Sequence, residues 1–195
     1  NKLVLSYLKD ATTRAIVHDL DGKPSRAISL NGIGTASGFR GRPGDAETFY
    51  SFTSFNQPPA IYRMNLATGE TQPFAEPKLT FRPADYDVDQ VFYTSKDVTR
   101  VPMFVVRRKD LVGKALPTLL YGYGGFDISL TPGFSATRMA WLEAGGAFAL
   151  ANLRGGGEYG KAWHDAGRRA NKQNVFDDFI AAGEYLIAQG ITPQG

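Results

Sequence analysis

The sequence predicts a segment of a β-propeller followed by an α/β domain with a mostly parallel sheet. Two observations carry this prediction. A pattern of candidate strands in the first part of the chain is repeated 46 residues later. Asp19 in the first copy corresponds to Asn65 in the second. In the second part, two apolar strands flank a helix, and the order strand, helix, strand indicates a parallel βαβ crossover. We therefore place the propeller segment over residues 1–80 and the α/β domain over residues 81–195.

The first strands of the chain are predicted to form a hairpin. Residues 3–8 alternate in the manner of a half-buried strand. Residues 15–20 form a second candidate strand, after which Asp21-Gly22-Lys23 signals a turn into a third strand over residues 26–30. We therefore expect antiparallel pairing in this part of the chain.

The same pattern returns further along the chain. Residues 48–52 correspond to residues 3–8, residues 60–66 correspond to residues 15–20, and the second turn contains Gly69. The spacing lies in the range of about 40 to 50 residues that is typical of four-stranded propeller blades. Because propellers close with about 4 to 8 blades and this part of the chain holds fewer than two, we expect a piece of a longer protein. A plain β-meander with chance similarity is the alternative.

Six elements are predicted in the α/β part. Strands are expected over residues 90–94, 101–106, 117–121 and 147–151, and helices over residues 134–144 and 175–189. The strand at 117–121 is expected to be buried, and Gly145-Gly146 is expected to end the first helix.

The second of these helices has the clearest pattern. Its predicted apolar face consists of Phe176, Phe179, Ile180, Gly183, Leu186 and Ile187. Asn174 suits its N-cap and Gly190 its end, and a further strand is expected to follow. Asp177 and Asp178 lie in its first turn, where the helix dipole favours carboxylates. We therefore interpret both as capping residues and not as acid or base groups.

Two glycine-rich loops follow the strands of the predicted crossover, at residues 121–126 and 154–160. Glycine allows positive φ and a close approach of the backbone to a ligand. Because the ligand crevice of an open α/β sheet lies outside the carboxyl ends of its strands, we expect both loops to line one site. Arg154 and Glu158 are interpreted as structural, and Arg154, which stands beside three glycines, is expected to tie loops together by charge-assisted hydrogen bonds. A packed loop without a site is the alternative.

Composition excludes several classes of function. The chain has no Cys, which excludes disulfides, thiolate zinc sites and a Cys nucleophile. The net charge of +3 is scattered, so we expect no nucleic-acid partner. No apolar run approaches the roughly 20 residues of a membrane span, so we expect no membrane partner.

The two histidines are interpreted as structural. His18 and His164 show no metal-binding spacing, and we expect neither a metal nor another cofactor. We expect a cytoplasmic protein, with a periplasmic location left open.

Three runs of sequence, at residues 121–126, 152–160 and 171–178, closely resemble the prolyl oligopeptidase family of serine peptidases. Residues 50–55 and 93–97 extend the resemblance over nearly the whole chain. It implies a seven-bladed propeller that caps an α/β-hydrolase domain, of which this chain holds the first half. The implied partners are short proline-containing peptides, cleaved after proline, and the remainder of the chain's own polypeptide.

The resemblance also implies roles for two residues. The hydroxyl of Tyr123 would be one of the two donors of the oxyanion hole, and Phe126 would be the aromatic wall of the proline-binding pocket. A phenol held after a strand can donate to a developing oxyanion, and a flat apolar ring suits stacking on a pyrrolidine. A buried structural Tyr and a core Phe are the alternatives.

No Gly-x-Ser-x-Gly motif, the nucleophile elbow of such hydrolases, occurs in the sequence. In the family the elbow follows the strand expected just after Gly195. We therefore expect the catalytic Ser, Asp and His to lie outside these residues, and no catalysis by this chain alone. Two other functions stay open: a dibasic-specific oligopeptidase of the same family, and a non-catalytic propeller that serves as an interaction module.

Overall fold

The computed structural model describes residues 2–194, which form two compact units. The first unit contains the residues up to Phe81 together with Thr131–Phe134. The second contains Arg82–Leu130 and the residues from Ser135 onward. The first unit is built on antiparallel sheets, and the second on one sheet with helices.

Seven strands make up the two sheets of the first unit. They are β1 (Leu3–Lys9), β2 (Thr12–His18), β3 (Pro24–Ala27), β4 (Thr35–Arg40), β5 (Glu47–Thr53), β6 (Ala60–Asn65) and β7 (Thr71–Ala75). One sheet has the order β1-β2-β3 and the other the order β4-β5-β6-β7. The predicted hairpin turn is confirmed, since the N–H of Asp19 donates to the carbonyl of Lys23 at 2.9 Å.

The repeat in the sequence corresponds to a repeat in the sheets. The strands β1, β2 and β3 neighbour one another in the same order as β5, β6 and β7. The strand pattern does not reveal β4, in which Gly38 has a φ of +112° and the register with β5 shifts. It does not reveal β7 either, because Pro73 interrupts the pattern there.

Alternate side chains of β5 and β6 build the core of the first unit. Tyr50, Phe52, Tyr62 and Met64 are all almost completely buried. The rings of Tyr50 and Tyr62 stack with their centroids 5.4 Å apart. Val17 of β2 belongs to the same cluster, so the two sheets share one core.

Among the described residues, the second unit consists of one four-stranded sheet, three α-helices and three short 3-10 helices. The strands are β8 (Tyr86–Thr94), β9 (Arg100–Arg108), β10 (Thr118–Gly122) and β11 (Ala147–Ala151). The helices are α1 (Ala136–Glu143), α2 (Lys161–Asp165) and α3 (Gln173–Ala188). The strand order is β10-β11-β9-β8.

One of the pairings in this sheet is parallel. β10 pairs parallel to β11 across the predicted βαβ crossover, whereas β11 pairs antiparallel to β9 and β9 antiparallel to β8. The expectation of a mostly parallel sheet is therefore not met in the described residues. The reason is the short connection over residues 95–99, which can join β8 and β9 only as antiparallel neighbours.

The strand β11 is buried throughout, as its apolar sequence predicts, but β10 is not. Leu119 and Tyr121 of β10 are each about half exposed, while Leu120 packs against the core. The prediction of a buried strand at 117–121 is therefore wrong. β10 is an edge strand of this sheet and is covered mainly on one face.

Both longer helices end at glycine as predicted, but the predicted N-cap of α3 is wrong. Gly145 and Gly190, with φ of +93° and +64°, follow α1 and α3. Ser135 Oγ caps α1 by accepting a hydrogen bond from the N–H of Arg138 at 3.3 Å. Asn174 lies inside α3, and its Nδ2 donates to the carbonyl of Ala166 at 2.9 Å.

The helix α3 buries a face that shares only Leu186 with the predicted one among the described residues. Its buried residues are Val175, Asp178, Ala181, Ala182 and Leu186. Phe176 and Ile180 of the predicted face are more than half exposed. Small alanines let the helix approach the sheet closely, and a buried Asp interrupts the apolar pattern from which the face was predicted.

Candidate functional site

The first loop of the candidate site, residues 123–130, follows β10 and has an unusual backbone. Gly124 has a φ of +61°, and the next two positive values belong to non-glycine residues, Phe126 at +52° and Asp127 at +58°. A residue with a Cβ in this region is strained by about 1 to 3 kcal/mol and persists only where its surroundings fix it. The first loop must therefore be held by other parts of the unit.

The second loop, residues 152–160, follows β11 and lies directly against the first. The two strands are parallel neighbours, so their carboxyl ends meet at one edge of the sheet. The N–H of Asp127 donates to the carbonyl of Gly155 at 3.2 Å across the two loops. The structure thus brings the two glycine-rich loops together.

The three consecutive glycines of the second loop make this close approach feasible. A Cβ on Gly155 would lie 2.6 Å from the carbonyl oxygen of Gly124, and φ at Gly155 is +92°. On Gly157 it would lie 2.5 Å from the carbonyl oxygen of Asp127. Real Cβ atoms do not approach backbone oxygens so closely, so these positions require glycine.

Arg154 anchors the second loop to the rest of the unit. Its side chain is almost fully buried, and its Nη2 donates to Oδ1 of Asp178 at 2.6 Å. Its backbone N–H donates to the other carboxylate oxygen of Asp178 at 3.1 Å. The guanidinium also donates to Asp97 and Thr99, in the connection between β8 and β9. The interpretation of Arg154 as a residue that ties loops together is confirmed.

These contacts correct the interpretation of Asp178 as a capping residue. Its side chain is completely buried and accepts hydrogen bonds from Arg154. Its backbone carbonyl accepts from the hydroxyl of Tyr93 at 2.8 Å. The hydrogen bond from Arg154 lowers the pKa of Asp97 to about 2. Asp177, in contrast, is half-buried and accepts from Gln173 within α3. The first turn of α3 holds no acidic residue, so the capping interpretation is wrong for Asp177 as well.

Glu158 and Asn152 hold the far end of the first loop. Glu158 is 5% exposed and Asn152 is fully buried. Glu158 Oε1 accepts from the N–H of Leu130 at 2.9 Å, and Asn152 Nδ2 donates to the carbonyl of Leu130 at 2.7 Å. Burial raises the pKa of the Glu158 carboxyl, and the hydrogen bond from Leu130 opposes that rise. Asn152 was not singled out in the sequence, where only its place after a buried strand could have indicated it.

Two further side chains fix the first loop near its start. Lys172 Nζ donates to the carbonyl of Gly124 at 2.8 Å. His164 Nδ1 lies 3.1 Å from the backbone nitrogen of Asp127 in the first loop and 2.7 Å from the carbonyl of Gly155 in the second. It accepts from Asp127 when Nδ1 is unprotonated and donates to Gly155 when Nδ1 carries the proton. These contacts fit the structural interpretation of His164. His18 likewise contacts the hairpin turn, its Nδ1 lying 2.9 Å from the carbonyl of Gly22.

The two residues with implied roles both project from the first loop. Tyr123 is 41% exposed, and its Cζ lies 3.6 Å from the position that a Cβ of Gly125 would occupy. Its ring thus lies along the glycine backbone and leaves part of the side chain open to solvent. Phe126 is 83% exposed. Both side chains are thus exposed in the loop that follows β10.

Within residues 2–194, no group of three or more acidic or His side chains is arranged to hold a metal ion. None of the helices in that range is both long and apolar enough to cross a membrane.

Two family models match the chain. Residues 1–77 match the N-terminal β-propeller domain of prolyl oligopeptidase, and residues 132–194 match the prolyl oligopeptidase family. The two matches fall in the two halves of the sequence.

Curated relatives match nearly all of the chain. A prolyl endopeptidase of Elizabethkingia meningoseptica is 50% identical over 189 residues, which cover 96% of this chain and 27% of the relative. A prolyl endopeptidase of Dictyostelium discoideum is 43% identical over 198 residues, with 99% and 26% covered. The chain therefore spans about a quarter of the length of the curated relatives it matches.

Solved structures agree with these matches. A structure from a mechanistic analysis of two prolyl endopeptidases superposes with a TM-score of 0.91 at 64% identity, over 99% of this chain and 28% of that chain. Prolyl oligopeptidase B from Galerina marginata gives a TM-score of 0.86 at 34% identity, over 97% and 28%. That protein has also been solved with a 25mer macrocyclization substrate bound.

Proposed function

Because the chain belongs to the prolyl oligopeptidase family, we propose that the protein containing it is a serine oligopeptidase that cleaves short peptides on the carboxyl side of proline. Hydrolysis would proceed through an acyl-enzyme. Residues 1–80 would be the last blades of the propeller, and residues 81–195 the first half of an α/β-hydrolase domain. The observation that carries the proposal is the placement of Tyr123 and Phe126 together on one rigidly held loop at the carboxyl edge of the sheet.

We assign to Tyr123 the role of an oxyanion donor. In acyl transfer, negative charge develops on the former carbonyl oxygen, and a donor that is already in place stabilises it without reorganisation. The partly exposed Tyr123 ring rests on Gly125, and Lys172 holds the adjacent Gly124. The phenol is therefore presented from a backbone with little freedom to move.

We assign to Phe126 the role of a wall for the substrate's proline. An aromatic face offers a flat apolar surface to the pyrrolidine ring. The 83% exposure of Phe126 leaves that surface uncovered, and its left-handed backbone turns the side chain out of the loop. Prolyl oligopeptidase B from Galerina marginata, solved with a peptide bound, supports a peptide as the occupant.

The proposed role of Tyr123 is tested by Tyr123→Phe in the complete protein that contains this chain. The variant keeps the ring's packing and removes only the hydroxyl, so the loss should appear in the transition state. We expect kcat on a proline-containing chromogenic peptide to fall on the order of 100- to 1,000-fold, about 3 to 4 kcal/mol, with an unchanged Tm. Tyr121→Phe removes a similarly exposed phenol from β10 and serves as the matched control.

Phe126→Ala should behave differently because it removes apolar surface that contacts ground state and transition state alike. We expect KM to rise by a larger factor than kcat falls. A near wild-type kcat for Tyr123→Phe, at an unchanged Tm, would return Tyr123 to a structural role. Absence of any cleavage after proline by the wild-type protein would contradict the proposed activity as a whole.

A further inference from the structure

Leu130, at the far end of the first loop, has both of its backbone polar groups bound by side chains of the second loop. Its N–H donates to Glu158 Oε1 at 2.9 Å, and its carbonyl accepts from Asn152 Nδ2 at 2.7 Å. Asn152 Nδ2 also donates to Glu158 Oε1 at 3.1 Å, which joins the two side chains to each other. The pair, which we call the Leu130 clamp, holds a single residue at its donor and at its acceptor.

The clamp buries polar atoms that gain no hydrogen bond in return. Glu158 Oε2 and Asn152 Oδ1 are buried and have no hydrogen-bond partner among the described residues. Burying a polar group without a partner destabilises a fold, and an apolar pair of similar volume avoids that cost. The charged group that faces the carboxylate from the first loop is Asp127, of the same sign. A buried polar pair at this position is therefore explained better by the backbone it holds than by stability.

The position of the clamp indicates that role. Phe126 and Asp127 adopt left-handed backbone conformations that persist only where the surroundings fix them. The strained pair is held directly by the hydrogen bond that the N–H of Asp127 donates to the carbonyl of Gly155. After the pair, the backbone continues through Ile128 and Ser129 to Leu130, which the clamp holds.

We propose that Glu158 and Asn152 are positioning residues that fix the orientation of Phe126 and thereby set the affinity for the substrate's proline. They act through the backbone at Leu130 and do not contact the substrate themselves. This inference rests on the proposed role of Phe126. The Glu158 side chain can reach the first loop because it folds back over Gly156. A Cβ on Gly156 would lie 2.1 Å from Glu158 Oε2, so this path requires glycine.

The test uses three substitutions in the complete protein. Glu158→Gln keeps an acceptor for the Leu130 N–H, Glu158→Ala removes it, and Glu158→Asp withdraws it by one methylene in case the alanine variant does not fold. Glu184→Ala, which removes an exposed carboxylate from α3, is the matched control.

Amide hydrogen exchange at Leu130 reports on the clamp without any activity. We expect slow exchange in the wild type and in Glu158→Gln, and faster exchange in Glu158→Ala and Glu158→Asp. Unchanged protection of the Leu130 amide in both of the latter variants would overturn the clamp. This measurement remains informative even if the protein cleaves no proline peptide, which would contradict the proposed function instead.

Kinetics separate positioning from a purely structural role. We expect Glu158→Ala and Glu158→Asp to raise KM for a proline-containing peptide about tenfold, the effect of losing one hydrogen bond, with a smaller change in kcat. Glu158→Gln should restore KM, and a peptide with alanine in place of proline should respond less. Loss of Leu130 protection with no change in KM would overturn the positioning role.

Discussion

At the scale of single residues, Arg154 is the side chain on which the candidate site depends. It joins the second loop to α3 through Asp178 and to the connection between β8 and β9 through Asp97. Asp178 is completely buried, so removing the guanidinium would leave an uncompensated carboxylate, which typically costs about 3 to 5 kcal/mol. Asp97, whose side chain is 47% exposed, is the partner that can be changed more gently.

Asp97→Asn is therefore predicted to weaken the protein in a pH-dependent manner. The pKa of Asp97 is lowered to about 2 from 3.8, so the folded state binds its proton less readily than the unfolded state. Its contribution is then fully present above pH 3.8 and is lost as the pH falls toward about 2. Because the carboxylate is half exposed, we expect the contribution to be about 1 kcal/mol or less.

The measurement is the Tm of wild type and Asp97→Asn at several pH values from about 6 down to 3. The difference between the two should be largest at neutral pH and should shrink on acidification. Asp177→Asn, which alters a half-buried carboxylate that accepts from Gln173 of the same helix, is the control and should show a smaller difference throughout. A difference that grows toward low pH would contradict the assigned ion pair.

Sequence reasoning at this scale succeeds for Arg154 and fails for Asp178. An Arg beside three glycines indicates a loop anchor, because the glycines offer no side-chain partner and the guanidinium must form its charge-assisted hydrogen bonds with other segments. The sequence pattern places Asp178 in the first turn of a helix, where a local rule predicts a cap, but the helix begins at Gln173 and its first turn holds no acidic residue. The actual partner of Asp178 is 24 residues away in the chain, and local patterns carry no information about such pairs. The positions of Tyr123 and Phe126 on one loop follow from the sequence, whereas the clamp on Leu130 does not.

At the scale of elements, two glycines of this unit differ in whether a side chain could replace them. Gly157 lies where the two loops touch, and a Cβ there would lie 2.5 Å from the carbonyl oxygen of Asp127. Gly183 lies within α3, and a Cβ there would meet Leu120 Cδ2 at 4.0 Å, an ordinary contact. One position requires glycine, and the other gains nothing from it.

Alanine at these two positions is predicted to have opposite effects. Gly183→Ala should stabilise the protein by about 0.5 to 1 kcal/mol, because alanine lowers the entropy of the unfolded chain and favours helix. Gly157→Ala should destabilise it, because the backbone of the first loop would have to move away. Thermal melts of both variants provide the measurement, and equal shifts of Tm in the same direction would contradict the assignment of Gly157.

The same helix shows why element positions are easier to predict than their buried faces. The period and the terminal glycine locate α3 to within two residues at each end. Its buried face depends on which elements pack against it. In this protein small side chains and Asp178 are buried, whereas Phe176 and Ile180 are exposed. In the same way, the alternation in β10 locates the strand but does not show that it lies at an edge of the sheet.

At the scale of the whole molecule, the sheet carries the oxyanion and pocket candidates but no candidate nucleophile. Hydrolases of this class present the nucleophilic Ser at a sharp turn after a strand, within Gly-x-Ser-x-Gly. This motif is absent from the sequence. Of the serines near the site, Ser135 caps α1 by accepting from Arg138, and Ser129 lies within the first loop against Gly157. Neither follows a strand in the required manner.

The 195-residue polypeptide is therefore predicted not to react with a fluorophosphonate probe, whereas the complete protein should be labelled at one serine outside these residues. A proline-containing peptide should slow that labelling by competing for the proposed pocket. Mass spectrometry of the labelled protein locates the modified serine. Stoichiometric modification of Ser129 or Ser135 would contradict the proposal, because a serine in this part of the chain would then be the nucleophile and the two loops would have to be reassigned around it.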